Sequence, residues 1–190
     1  MLAEIAQLLV DVVASFFVYL LLARFHFQWL RVPFRNPIGG FIIALTDWIV
    51  RPARRIIPGV AGLDVATLLV AWLLQLLALW VLHTLKSADP GATGTSVLPV
   101  LAVLALFDLL RYSLYILIFA VLVQALLSWL NPYSPVAPIF GAMTRPFLAP
   151  IKRFVPPIAN FDLSPLVLLV LLQVVLIPLA HLRQVAIGWF

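Results

Sequence analysis

Long uninterrupted runs of apolar residues dominate the chain and predict membrane-spanning helices. Val65–Leu85 is 21 residues without a charge, and at about 1.5 Å per residue it covers about 30 Å, the thickness of the hydrocarbon layer. Similar runs predict four spans at about residues 8–30, 65–85, 109–130 and 165–182. We therefore expect an all-α membrane protein with four transmembrane helices.

An internal repeat divides these spans into two pairs. A shift of 98 residues, without a gap, superimposes the scarce prolines and polar residues of the two halves. It aligns Pro52 with Pro150, Pro58 with Pro156, Asp64 with Asp162, Gln75 with Gln173, and His83 with His181. Because each unit has an even number of spans, the sequence predicts two parallel two-helix repeats, at 1–86 and 97–190. Residues 87–96, rich in Gly and Ser, are the predicted flexible linker.

The segment between the two spans of each repeat is predicted to be an amphipathic connection lying among the lipid headgroups. In the first copy, Phe41 and Trp48 share one helical face, and Arg51 and Arg55 lie on the other. Prolines are expected to break both connections. The residues expected to have a structural role in the two copies of the repeat are Pro52, Pro58, Asp64, Pro146, Pro150, Pro156, Asp162, Ser164 and Pro165. A re-entrant pair is the alternative, but it would strip water from the arginines.

The distribution of basic residues predicts the orientation. Eight lie in the two connections and three on the opposite side, which places both connections in the cytoplasm and both termini outside. The N-terminal segment carries Glu4 and Asp11 in place of a basic region, so it is interpreted as a retained span. The residues expected to bind anionic lipid or a partner protein are Arg51, Arg54, Arg55, Arg145, Lys152 and Arg153.

Composition narrows the class of protein. Hydrophobic residues make up 65% and charged residues 10% of the chain, against about 45–50% and 25% in soluble domains. A net charge of +5 could also indicate a protein that binds nucleic acid. Here, however, the basic residues lie in the short segments between apolar runs, so the expected partner is anionic lipid and not nucleic acid. The chain has no cysteine, which excludes thiolate catalysis and cysteine–metal sites. Enzyme motifs are absent too, so no catalytic residue is predicted.

Two pairs of repeat-matched residues are candidate sites. Asp64 and Asp162 each precede an uncharged span, where a carboxylate caps the helix, worth about 0.5–2 kcal/mol. The alternative role is to pair with the basic residues of the connection. Ser164 is expected to supply a hydroxyl cap to the last span. His83 and His181 are weak candidates for a metal or haem iron, but an interfacial structural role is favoured, and no cofactor is expected.

The remaining polar residues of the spans receive structural interpretations. Gln75 and Gln173 are expected to form hydrogen bonds between helices. Asp108 and Arg111 are three residues apart and are predicted to pair on one helix face. Asp108 and Asp11 are interpreted as charges that mark helix ends, and no span is expected to carry an acid or base at its centre.

These motifs resemble the YggT family of small bacterial integral membrane proteins. The second copy carries the better match, with Asn131-Pro132, the segment 144–153 and Asp162-Leu163-Ser164-Pro165. The first copy lacks the Ser-Pro pair and has Trp48 where the second has Pro146. The resemblance implies the bacterial inner membrane and links to osmotic tolerance and potassium handling. Plastid relatives imply a link to haem attachment on a cytochrome b.

The leading functional hypothesis is a non-enzymatic scaffold or assembly factor. Its basic connections would dock anionic lipid, an unidentified membrane protein, or both. An oligomeric channel or transport component for osmotic adaptation is the alternative, and it requires self-association because four spans make a thin bundle. A haem- or metal-handling protein that uses His83 and His181 is the weaker alternative.

Overall fold

A computed structural model of the chain describes residues 2–57, 59, 62–86, 97–131, 133–155 and 162–188. These residues form six helices and no strand. The helices are α1 (Leu2–Trp29), α2 (Pro37–Ile56), α3 (Val65–Lys86), α4 (Leu98–Leu130), α5 (Ala137–Phe154) and α6 (Ser164–Ile187). The all-α class is confirmed. The predicted linker, residues 87–96, lies outside the described part.

Four of these helices, α1, α3, α4 and α6, are long and apolar enough to cross a membrane, with mean hydropathy of 2.2 to 2.4. This confirms the four predicted spans. The third differs in extent, because α4 is one continuous helix of 33 residues. Its proline, Pro99, lies in the first turn, where a missing N–H leaves no helical bond unmade. Nothing breaks the helix between Pro99 and Asp108, so the apolar stretch before Asp108 joins the span.

Two shorter helices, α2 and α5, connect the spans within each half, and we call them the elbow helices. The expectation that prolines break these connections is wrong, because both helices continue through their internal prolines, Pro52, Pro146 and Pro150. All three prolines lie on exposed positions. Each ring therefore removes one backbone hydrogen bond on the outer side of its helix, and the inner side keeps its packing.

The first turn of α2 packs closely against the preceding chain at Gly39. The Asn36 side chain accepts a hydrogen bond from the Gly39 N–H at 2.7 Å and caps the helix. A Cβ added at Gly39 would lie 2.5 Å from the Phe34 backbone oxygen, whereas one added at Gly40 would meet nothing within 4 Å. The fold therefore needs a glycine at position 39 and not at position 40.

Each half of the molecule has an apolar core to which its elbow helix contributes a repeat-equivalent residue, and Leu109 of α4 also joins the first of these cores. In the first half, Val50 of α2 packs with Val70 of α3 and with residues of α1. In the second half, Leu148 of α5 packs with Leu168 of α6 and with residues of α4. Both pairs obey the 98-residue shift, so the internal repeat seen in the sequence is also a repeat of packing.

A third core joins the two halves. Phe27 of α1, Ile42 of α2, Ala120 of α4 and Ile139 of α5 are all buried in it. Both elbow helices therefore lie at the same end of the bundle. This is the arrangement expected for parallel repeats, and it brings the basic residues of both connections to one side.

Candidate functional site

A buried carboxylate at the start of α3 ties the first elbow helix to the span that follows it. Asp64 is 4% exposed, and it caps α3 by accepting the Thr67 N–H at 3.2 Å and the Thr67 hydroxyl. The same carboxylate pairs with Arg54 of α2, whose guanidinium also donates to Gln28 at 3.0 Å. Asp64 therefore plays both of the roles that the sequence left open, capping and pairing.

The second half repeats this contact with a lysine. Lys152 Nζ lies 2.7 Å from Asp162 Oδ2, and Asp162 Oδ1 accepts the Ser164 N–H at 3.0 Å. The predicted hydroxyl cap by Ser164 is wrong: Ser164 is already the first residue of α6, and Asp162 caps the helix from two positions earlier. Pro165 lies in the first turn, as predicted. We call Arg54–Asp64 and Lys152–Asp162 the two clasps.

The clasp carboxylates have lowered pKa values. Burial by itself would raise the pKa of Asp64, but hydrogen bonds from Arg54 and Thr67 and the guanidinium charge outweigh it and hold the pKa below its ordinary value. Burial would also raise the pKa of Asp162. Hydrogen bonds from Lys152 and Ser164 and the ammonium charge outweigh this effect and hold the pKa of Asp162 below its ordinary value. Both groups are therefore ionised in the folded protein at neutral pH.

We expect the clasps to make the protein less stable in acid. Because each folded-state pKa is lowered, the contribution of the carboxylate is complete above its unfolded-state pKa of about 4 and is lost as the pH falls through the folded-state value. Thermal unfolding in detergent, measured from pH 7 down to pH 3, should show a steeper loss for the wild type than for the Asp64→Asn/Asp162→Asn variant. Equal slopes would contradict the proposed linkage.

Among the described residues, a further charged contact fastens the first elbow helix and has no equivalent on the second, and no sequence pattern predicted it. Arg24 of α1 is 5% exposed, and its guanidinium donates to Thr46 Oγ1 at 2.8 Å and pairs with Asp47 at 2.8 Å. Asp47 also pairs with Arg51 at 2.7 Å. The second half has Leu122 at the position equivalent to Arg24. The two elbows are therefore held differently.

The exposed basic residues of the elbow helices form one candidate binding surface, the elbow surface, comprising Arg51, Arg54, Arg55, Arg145, Lys152 and Arg153. Of these, Arg54 and Lys152 are engaged in the clasps and Arg51 in the pair with Asp47. The other three are exposed and have no hydrogen bond or ion pair to any described residue: Arg55, Arg145 and Arg153. Pro58 and Pro156, the two remaining motif prolines, lie outside the described residues.

Exposed aromatic and aliphatic side chains accompany these arginines. Trp48 is 67% exposed and Ile56 is 82% exposed on α2, and Phe154 is 85% exposed on α5. The opposite face of α2, with Ile42 and Val50, is buried against the bundle. Each elbow helix therefore has one face packed on the protein and an outer surface that combines apolar and cationic groups, which is the chemistry of a membrane interface.

At the other end of the bundle, a carboxylate, two arginines and an amide form what we call the charged cluster. Asp108 is 1% exposed. Its Oδ1 lies 2.8 Å from Arg183 Nε and 3.2 Å from Arg111 Nη2. Its Oδ2 accepts from Gln75 Nε2 at 3.0 Å. The cluster joins α3 of the first half to α4 and α6 of the second.

The charged cluster changes the interpretation of Asp108. The predicted pair with Arg111 is confirmed, but the interpretation of Asp108 as a mark of a helix end is wrong, because α4 continues for ten residues before it. Asp108 is a buried acid in the first half of α4, away from the centre of the helix. Gln75 makes its expected hydrogen bond between helices, whereas Gln173 is exposed. The sequence repeat does not predict this difference.

The two candidate histidines lie on different spans and differ in burial. His83 lies near the end of α3 and is half-buried, while His181 is exposed on α6. Among the described residues, no group of three or more His, Cys, Asp or Glu side chains is placed to hold a metal ion. Ligation of haem or metal by these two histidines alone stays a prediction.

The fold and the paired elbow helices define a multi-pass helical membrane protein built from two parallel two-span units. A family model described as CCB3/YggT matches it twice, at residues 3–85 and 103–183. The chain therefore belongs to the CCB3/YggT family.

Similar proteins come from several bacteria. The chain is 30% identical over 177 residues to "Uncharacterized protein YggT" of Escherichia coli K12, covering 93% of this chain and 89% of that protein. It is 34% identical over 166 residues to "Uncharacterized protein in proC 3'region" of Vibrio alginolyticus, covering 87% and 88%. A third relative, "Uncharacterized protein" of Haemophilus influenzae, is 27% identical over 167 residues, covering 80% and 78%. No solved structure matches the chain.

Proposed function

We propose that the protein is a non-enzymatic scaffold or assembly factor of the bacterial inner membrane. Its elbow surface docks anionic lipid and a partner membrane protein on the cytoplasmic side. The observation that carries this proposal is the set of three exposed arginines on α2 and α5 that have no partner in the described part of the chain. A charge that the fold leaves uncompensated is available to an external anion.

The clasps support this function by giving the surface a fixed geometry. Each clasp joins an elbow helix to the first turn of the next span, so the exposed arginines have defined positions relative to the bundle. Arg54 and Lys152 therefore serve mainly to hold the platform, and Arg55, Arg145 and Arg153 serve to bind. Of the six residues predicted to bind lipid or a partner, these three arginines are therefore the ones assigned to binding.

A channel receives less support from the contacts. A conducting path needs polar groups that remain free to coordinate an ion or water. Within the described spans, the carboxylate of Asp108 is already bonded to Arg111, Arg183 and Gln75. The scaffold is therefore the function that we propose, and ion flux in liposomes containing the purified protein is the measurement that would favour a channel.

The decisive test removes the unpartnered arginines and leaves the clasps intact. We expect the triple variant Arg55→Gln/Arg145→Gln/Arg153→Gln to lose affinity for phosphatidylglycerol, because a basic residue near an anionic leaflet contributes about 1 kcal/mol. Three such losses amount to a decrease of roughly a hundredfold. Titration of the purified protein with phosphatidylglycerol in detergent, followed by native mass spectrometry, measures this change, with phosphatidylcholine as the reference lipid.

Lys86→Gln is the matched control, because it removes one exposed positive charge from the opposite end of the bundle. It should leave binding at the elbow surface unchanged. The chain has no cysteine, so a single cysteine at Ala149 allows site-specific crosslinking in native membranes. A triple variant that inserts correctly, binds as many phosphatidylglycerol molecules as the wild type with the same affinity, and keeps the same crosslinked partner would refute the proposal.

A further inference from the structure

The charged cluster carries more positive than negative charge. Arg111 and Arg183 share the single carboxylate of Asp108, whose two oxygens are both engaged. No other acid among the described residues pairs with either guanidinium. Arg111 Nε is buried and has no hydrogen-bond acceptor. The charges of Asp108, Arg111 and Arg183 therefore sum to +1, and at least one N–H donor, at Arg111 Nε, has no hydrogen-bond partner.

Both guanidiniums lie where lipid headgroups are expected. Arg111 lies about 28 Å along α4 from its elbow end at Leu130, and Arg183 lies about 28 Å along α6 from Ser164, at about 1.5 Å per residue. The hydrocarbon layer is about 30 Å thick, so both residues lie near its boundary on the side opposite the elbow helices. Their side chains are 33% and 26% exposed, which leaves room for a ligand to approach.

We propose that Arg111 and Arg183 bind a phosphate group, supplied by an anionic phospholipid of the leaflet opposite the elbow helices. A guanidinium fork donates two parallel hydrogen bonds to phosphate oxygens, and an anion neutralises the surplus charge. The Tyr112 ring lies 5.4 Å from the Arg111 guanidinium carbon and restricts its orientation. Asp108 acts as a positioning residue that brings the two guanidiniums together.

Phosphate is favoured over a carboxylate of a partner helix for two reasons. Lipid phosphate is present at high local concentration at this depth of the membrane, whereas a partner would need an acid at the same level. Two guanidiniums around one site also match an acceptor with several oxygens better than the two of a carboxylate. This site is separate from the elbow surface and lies at the other end of the bundle.

Arg111→Gln is the informative variant, because it removes the surplus charge and leaves Asp108 paired with Arg183 and hydrogen-bonded to Gln75. We expect it to fold and to bind the phosphatidylglycerol of this site about tenfold or more weakly than the same background with Arg111 intact, so that one lipid fewer is retained. Native mass spectrometry in the Arg55→Gln/Arg145→Gln/Arg153→Gln background keeps lipid at the elbow surface out of the count. An unchanged lipid count in folded Arg111→Gln overturns the proposal.

Two matched variants and one further probe sharpen the result. Arg111→Lys keeps the charge without the planar fork and should bind with intermediate affinity. Lys86→Gln removes a charge from the same end of the bundle and should bind as the wild type does; a loss equal to that of Arg111→Gln overturns the proposal, because it would show a general charge effect. Inorganic phosphate tests the source: weak competition with phosphatidylglycerol supports a phosphate site that lipid occupies, and phosphate that binds as tightly as phosphatidylglycerol or more tightly overturns the lipid assignment. A partner helix crosslinked at Arg111 in place of lipid also overturns it.

Discussion

Replacement of Asp108 by alanine is expected to lower the free energy of unfolding by about 3 kcal/mol, because two arginines inside the bundle lose their acceptor. Removal of one member of a buried ion pair costs about 3–5 kcal/mol. The low end applies here since the guanidiniums are partly exposed and screened by their surroundings. Gln75 also loses the carboxylate to which it donates. Reversible unfolding in detergent micelles measures the change.

The matched control for this variant is Asp11→Ala, which removes an exposed acid from α1 that has no ion pair among the described residues. It should change stability by less than about 0.5 kcal/mol. A second comparison separates buried charge from lost packing: the apolar variant Asp108→Leu/Arg111→Leu/Arg183→Leu should recover most of the stability, because it leaves no charge unpaired. An Asp108→Ala protein as stable as the wild type would show that the charged cluster contributes no net stability.

Gly39→Ala is expected to destabilise the protein by about 2–3 kcal/mol, near the upper part of the range for overpacking. The added Cβ would lie 2.5 Å from the Phe34 backbone oxygen, and backbone cannot move aside as a flexible side chain can. The turn into α2 must therefore open, which also displaces the Asn36 cap. The free energy of unfolding in detergent and the binding of phosphatidylglycerol should both decrease.

Gly40→Ala provides the adjacent control. Its added Cβ meets nothing within 4 Å, and alanine is favoured over glycine in a helix by up to about 1 kcal/mol. This variant should therefore be as stable as the wild type or more so. If both substitutions had the same effect, the close approach of Phe34 to Gly39 would not be the cause.

The fold could be predicted largely from the sequence because its signals are local or repeated. Uncharged runs such as Val65–Leu85 define spans by length alone, and the 98-residue shift relates Asp64 to Asp162 without any knowledge of contacts. The partners of these carboxylates were also within reach, since Arg54 lies only ten positions from Asp64. Exposure of the arginines follows from their place outside the apolar runs.

The contacts that join distant helices could not be predicted in the same way. Gln75 is 33 positions from Asp108 and Arg183 is 75 positions from it, so their meeting depends on how α3, α4 and α6 are arranged. Arg24 and Thr46, 22 positions apart, are a similar case. The exposure of Gln173 in place of a hydrogen bond shows that a repeat in sequence does not ensure equal environments.

The length of α4 has a consequence for the surrounding bilayer. Its 33 residues rise about 50 Å along the helix axis, and at a steep membrane tilt of about 40° they would still cross about 38 Å. This is about 8 Å more than the hydrocarbon layer accommodates. The hydrophobic mismatch must be met by thicker lipid around α4 or by apolar turns that emerge beyond the membrane, so the thickness of the bilayer should influence how this protein sits in it.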